Sequence, residues 1–175
     1  LIFTPEEFYQ MMKFNSNAIK FVKKCKENGH QVYVLSNWDK ESFGLLRKKY
    51  QNIFDLFDGI IISGEHCSTK PSKKIYQKLI TQYNLNPEEC IFFDDQLENC
   101  IAAKAFGIAF VHYKKDKKLF NSKRNRNKIF NHIETTYPQK NKNFSSKKNT
   151  FDPAFLLSKK TYRLSCLTLN NILSK

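Results

Sequence analysis

A hydroxyl, an ammonium and two adjacent carboxylates stand in the order Ser36, Lys70 and Asp94-Asp95, with Asn99 one helical turn further on. A divalent cation needs carboxylate oxygens, and Mg²⁺ usually takes only one or two from a protein. A phosphoryl group needs cationic and N–H or O–H donors around its oxygens. Brought together, these residues suit a Mg²⁺-assisted phosphoryl site. Each also has an ordinary reading. Ser36 can be a strand-end hydrogen-bonding residue, and Lys70, before Pro71, a solvated lysine. Asp95 can be a helix N-cap, since Asp95-x-x-Glu98 has the spacing of a capping box. Adjacent aspartates at the end of a buried strand are harder to set aside, because like charges repel and call for a compensating cation. The ordered combination carries more specificity than any member.

Positioning these groups requires elements that end where they stand. QVYVLS (31–36), GIIIS (59–63), CIFFD (90–94) and IAFVHY (108–113) are short apolar runs that read as buried strands. Between them, 40–50, 72–84 and 96–106 read as amphipathic helices, and 18–28 precedes the first strand as another. Gly29 and Gly107 stand where two of these helices stop. Apolar strands alternating with helices imply an α/β fold with a parallel sheet and right-handed crossovers. Ligands in such sheets bind beyond the carboxyl ends of the strands. Ser36-Asn37, the segment through Lys70 and Asp94-Asp95 all follow such ends.

The 175 residues carry 30 Lys+Arg against 16 Asp+Glu, a formal net charge of +14. The excess is concentrated after Tyr113. Residues 114–175 hold 16 basic and 3 acidic residues, whereas 1–113 are nearly balanced. With 41% hydrophobic residues the chain can build a core, so wholesale disorder is excluded. No apolar run reaches the ~18 residues a membrane span needs. The five cysteines form no CxxC pair and fit neither a disulfide framework nor a zinc module, which favours a reducing, cytoplasmic setting. Cys90 and Cys100, flanking the carboxylates, read as buried inert thiols. His30, His66, His112 and His132 fit no ligand spacing, and Trp38 reads as a packing residue. The Lys-, Asn- and Ser-rich segment 114–175 reads as largely flexible, with one weak element inside 154–173.

VYVLSNWD, Lys70-Pro71 and CIFFDDQLENCIAAKAFGI resemble the second, third and fourth motifs of the haloacid dehalogenase-like (HAD) hydrolase superfamily, in its sugar-phosphate phosphatase and epoxide-hydrolase N-domain type. The resemblance covers about residues 18–113. It implies a three-layer Rossmann-like core there, with 1–17 the remnant of a helical cap (Thr4–Phe14 its last part) and 114–175 a basic tail. It further implies that Ser36 hydrogen-bonds the transferring phosphoryl oxygen with Asn37 beside it, that Lys70 neutralises charge, and that Asp95 is the main Mg²⁺ ligand. Asp94 would support or share the metal, and Asn99 would orient the loop. The substrate would be a small phosphate ester, hydrolysed through an aspartyl-phosphate. Dehalogenation is a weaker alternative, because those enzymes need no metal and the aspartate pair argues for one.

The family's first motif, D-x-D, occurs nowhere in the 175 residues. Asp55-x-x-Asp58 has the wrong spacing, and Ser36 cannot replace a carboxylate nucleophile without a positioned base. The resemblance places the missing strand centrally, between those ending at Ser36 and Asp94. An N-terminally truncated chain would then expose two buried strand edges, whose unpaired groups cost about 1–3 kcal/mol each against a total stability of about 5–15 kcal/mol. The expectation is an inactive and marginally folded chain. A second function class competes with the enzyme: a non-catalytic protein that binds nucleic acid or another polyanion through the basic tail, by salt-dependent contacts. The simpler account of that tail is an AT-rich coding sequence or a shifted reading frame.

Overall fold

The computed structural model describes residues 4, 7 and 12–112, together with the strands at 163–167 and 173–174. After a two-residue strand β1 (Lys13–Phe14), helix α1 (Ser16–Glu27) leads into β2 (Gln31–Ser36). The side chain of Asn15 accepts from the backbone N–H groups of Asn17 and Ala18, so the helix starts before the apolar spacing alone would place it. Gly29 ends the turn after α1 at φ +79°, a left-handed conformation that a side chain would strain.

Helix α2 (Lys40–Lys49) follows β2 and is capped by Asp39, whose carboxylate accepts from the Ser42 backbone N–H at 2.8 Å and from the Ser42 hydroxyl. Burial resists ionisation of Asp39, but these bonds outweigh it and hold the carboxyl below the ordinary range. The Trp38 indole N–H donates to the same hydroxyl at 2.7 Å, and its ring is buried in the core. Trp38 is thus a packing residue.

The chain continues through the short helix α3 (Gln51–Phe54), β3 (Gly59–Ile62), the short helix α4 (Ser63–His66), α5 (Lys73–Gln82), β4 (Ile91–Asp94), α6 (Leu97–Lys104) and β5 (Ala109–His112). Near the far end stand β6 (Arg163–Leu167) and β7 (Leu173–Ser174). β2 to β6 form one parallel sheet in the order β3-β2-β6-β4-β5, and β1 pairs antiparallel with β7.

Alternation along the strands divides the core in two. Val32, Val34, Ile62 and Phe93 pack with Phe21, Val22 and Cys25 of α1 and with Phe43 and Leu46 of α2. Tyr33, Leu35, Ile61 and Phe92 pack with Ile75, Tyr76 and Leu79 of α5 and with Cys100 and Ala103 of α6. A period-two strand with both faces covered gives a three-layer α/β/α arrangement. At the amino end of the sheet, Asp58 accepts from the Val32 N–H and pairs with Lys26. That carboxylate serves the start of β2, far from the strand ends that carry the candidate site.

One expectation is corrected. The central slot is filled: β6 lies between β2 and β4 and is parallel to both, so the two strand edges are not left facing each other unpaired. Buried N–H and C=O groups demand partners, and the short apolar run within 154–173 supplies them. The case for marginal folding loses that premise. Lys13–Phe14, the end of the segment read as a cap remnant, form a strand paired with 173–174. The reciprocal Thr4–Glu7 hydrogen bonds do have the pattern of a helix start. The rest of 1–11 and most of 114–175, including the segment read as flexible, lie outside the described residues. Among the described residues no helix is long and apolar enough to cross a membrane.

Candidate active site

β2 delivers Ser36 to the carboxyl edge of the sheet, and β4 delivers Asp94 to the same edge across β6. The loop before α5 brings Lys70 to them. A polar pocket lined by Ser36, Asn37, Lys70, Asp94, Asp95, Gln96 and Asn99 results. All six residues singled out from the sequence therefore share one rim, and Gln96 joins them.

Lys70 is no solvated lysine. Its side chain is 3% exposed, and its Nζ donates to Asp94 Oδ2 at 2.8 Å. It also lies 5.5 Å from the centroid of the Phe92 ring, within range of a cation–π contact. Asn37 explains how the lysine is aimed. Its side-chain amide donates to the Lys70 carbonyl at 3.0 Å and accepts from the Lys70 N–H at 2.7 Å. Its side-chain amide is thus used on the lysine backbone. Ser63 holds the loop that follows β2, exchanging hydrogen bonds with the backbone of Trp38. Gly64 stands so close that a Cβ there would meet Lys40 N at 2.5 Å, so no side chain fits without moving the loop.

Asp94 is the hub. Beyond Lys70 it accepts from Asn99 Nδ2 at 3.1 Å on both oxygens, and from the Gln96 backbone N–H at 2.8 Å. The backbone of Asn99 is itself fixed by the Tyr76 hydroxyl, which donates to the Asn99 main-chain carbonyl at 2.8 Å. Helix α6 begins at Leu97 with Gln96 at the N-cap position, one residue later than the Asp95–Glu98 capping-box reading placed it. Asp95 instead lines the pocket, half-buried. Tyr76 and Gln96 escaped sequence reading. The hydroxyl reaches across 23 positions, and the Gln96 contribution is a backbone N–H that no residue type announces.

Among the described residues the pocket holds one ammonium and two carboxylates, a formal excess of one negative charge. A phosphoryl dianion alone would face repulsion there, and a divalent cation would reverse the sign. Asp94 is held by Lys70 and Asn99, and Asp95 lines the pocket beside it. One or two carboxylates match Mg²⁺, which keeps waters and substrate oxygens in its remaining positions. The donor set therefore fits that ion. No cluster of three or more His, Cys, Asp or Glu side chains occurs among the described residues. A cation held by protein ligands alone is thus not what these side chains offer.

Cys90 and Cys100 are buried, as is Cys25. Burial pushes the Cys25 and Cys100 thiols up to about 12, and for Cys100 the Asp94 carboxylate adds to the effect. Thiolates are the reactive form. Alkylation of the native chain at mildly alkaline pH should therefore label exposed Cys67 well before Cys25, Cys90 or Cys100, as read by peptide mass mapping. Labelling of Cys100 at the rate of Cys67 would show that α6 does not pack on β4 as described.

Comparison with known proteins bears on the family and the fold. A family model described as haloacid dehalogenase-like hydrolase matches residues 6–107. A sesquiterpene phosphatase of Aspergillus oryzae is 36% identical over 98 residues, covering 56% of this chain and 50% of its own length. A HAD-superfamily hydrolase of Ehrlichia chaffeensis superposes with a TM-score of 0.55 at 28% identity, covering 70% of this chain and 58% of that one. A HAD family enzyme of Bacteroides thetaiotaomicron, solved as a magnesium complex, superposes with a TM-score of 0.53 at 25% identity, covering 62% and 58% respectively. The chain spans about half the length, or less, of the curated relatives it matches.

Proposed function

Because the chain belongs to the haloacid dehalogenase-like hydrolase family, we propose that its pocket is a Mg²⁺-assisted phosphoryl site for a small phosphate ester. The observation that carries this reading is the buried Lys70–Asp94 pair with Asp95 beside it, in one pocket with Ser36 from the end of β2. The phosphatase names of the matched relatives support a phosphoryl group as the ligand.

In this reading Ser36 donates to a phosphoryl oxygen, and Lys70 offers positive charge to the same group. Asp95 would hold the metal, with Asp94 supporting it from the neighbouring position. When bound, Mg²⁺ would neutralise phosphoryl charge. Asn99 and Tyr76 keep the Asp94 carboxylate in place, and Asn37 keeps Lys70 in place. Hydrolysis through an aspartyl-phosphate needs a carboxylate nucleophile, and the 175 residues hold no D-x-D. The chain as it stands binds phosphate without turning over esters.

Calorimetry with inorganic phosphate, and a p-nitrophenyl phosphate assay, test both parts. The expected result is phosphate binding strengthened by Mg²⁺, without turnover above background. Binding indifferent to Mg²⁺ would overturn the metal assignment. Turnover abolished by both Lys70→Ala and Asp95→Asn would overturn the claim of inactivity, and turnover surviving both would overturn the site.

A further inference from the structure

The two strands that carry the pocket do not pair with each other. β2 pairs with β3 and β6, and β4 with β5 and β6, so among the described residues the sheet is continuous only through β6. That bridging strand comes from far along the sequence: fifty residues separate His112, the end of β5, from Arg163, the start of β6. We infer that docking of Arg163–Leu167 in the slot between β2 and β4 and binding of a phosphate anion in the pocket reinforce one another. The C-terminal strand thereby controls whether the site is assembled. This rests on the reading of the pocket as a phosphoryl site.

Each half of the sheet has its own ladder, β2 with β3 and β4 with β5, so neither depends on β6 for all its pairing. What β6 adds is the spacing between the halves. Ser36 and Asn37 stand on one side of it, and Asp94, Asp95 and Asn99 on the other. A ligand that touches Ser36 and the Asp95 region together binds only when that spacing is right. Linkage then makes the effect mutual: whatever β6 does for phosphate affinity, phosphate does for β6 docking.

Hydrogen exchange on the full chain, with and without inorganic phosphate and Mg²⁺, tests the coupling. Saturating phosphate should slow exchange of the amides in 163–167. Ser165→Pro, which removes an N–H within β6, should speed exchange in 31–36 and 91–94 and weaken phosphate binding by about tenfold. Unchanged exchange in 163–167 at saturating phosphate, or full affinity in Ser165→Pro, would overturn the inference. If Ser165→Pro does not fold, a protease site placed within 113–162 and cut after folding replaces it. The severed C-terminal piece should stay bound through gel filtration more firmly with phosphate and Mg²⁺, and equal release in both conditions overturns the coupling. Co-elution at the mass of a dimer would assign the slot to the strand of a second copy and overturn docking within one chain. A wild-type chain that binds no phosphate would remove the pocket reading and the coupling together. Slot occupancy would then be judged separately, by exchange in 31–36 and 91–94.

Discussion

Lys70→Ala is expected to lower stability by about 3–5 kcal/mol, the cost of leaving one member of a buried ion pair without its partner, and to abolish phosphate binding. Asp94 is 1% exposed at its side chain, so removing the ammonium strands a carboxylate that Asn99 and the Gln96 N–H cannot neutralise. Urea denaturation measures the loss. A double replacement separates the two roles of the lysine. Lys70→Met with Asp94→Leu exchanges the pair for apolar groups of similar size, and such exchanges are often neutral. The double variant should recover most of the stability and none of the binding. A single Lys70→Ala variant as stable as wild type would mean that the pair is solvated and that the pocket floor is not as described.

The lysine also shows where sequence reading stops. Its type and its place before Pro71 fit solvent as well as a site. Burial arises from the Asn37 clamp, formed between residues 33 positions apart. The elements themselves were legible, because alternating apolar runs and amphipathic periods are local signals. Strands over 31–36, 59–62 and 91–94, and glycine stops at 29 and 107, follow from them. The N-cap at Asn15 was missed because the apolar spacing begins only inside the helix. The resemblance called for a strand between those ending at Ser36 and Asp94, but nothing assigned that slot to 163–167. Arg163–Leu167 is five residues of modest β propensity in a lysine-rich region, and its pairing with β2 and β4 is non-local. The rim of Ser36, Lys70, Asp94 and Asp95 could be foreseen because its members each follow a strand end. Tyr76, which steadies Asn99 from within the core, gave no signal beyond that of a helical aromatic.

Asp95→Asn should separate metal from fold. Asp95 is half-buried at the pocket, whereas Asp94 beside it carries the hydrogen bonds that tie β4, α6 and Lys70 together. The amide keeps the shape of the side chain and removes one negative charge. Because Asp95 is half-buried whereas the Asp94 side chain is 1% exposed, stability should fall much less than in Asp94→Asn. The gain in phosphate affinity conferred by Mg²⁺ should fall by about a hundredfold, the upper range seen when a metal site loses even an outer-shell partner. In the absence of Mg²⁺ the sign reverses. With one ammonium against one remaining carboxylate the pocket is neutral, so the variant should bind phosphate more tightly than metal-free wild type. Asp94→Asn should behave oppositely, losing stability as Lys70→Ala does because a buried ammonium is left without its counter-charge. Calorimetric titrations with and without Mg²⁺, run beside urea denaturation of both variants, give the comparison. Equal effects of the two substitutions on stability and on Mg²⁺ dependence would show that the neighbouring aspartates share one role, and the division of labour between them would fall.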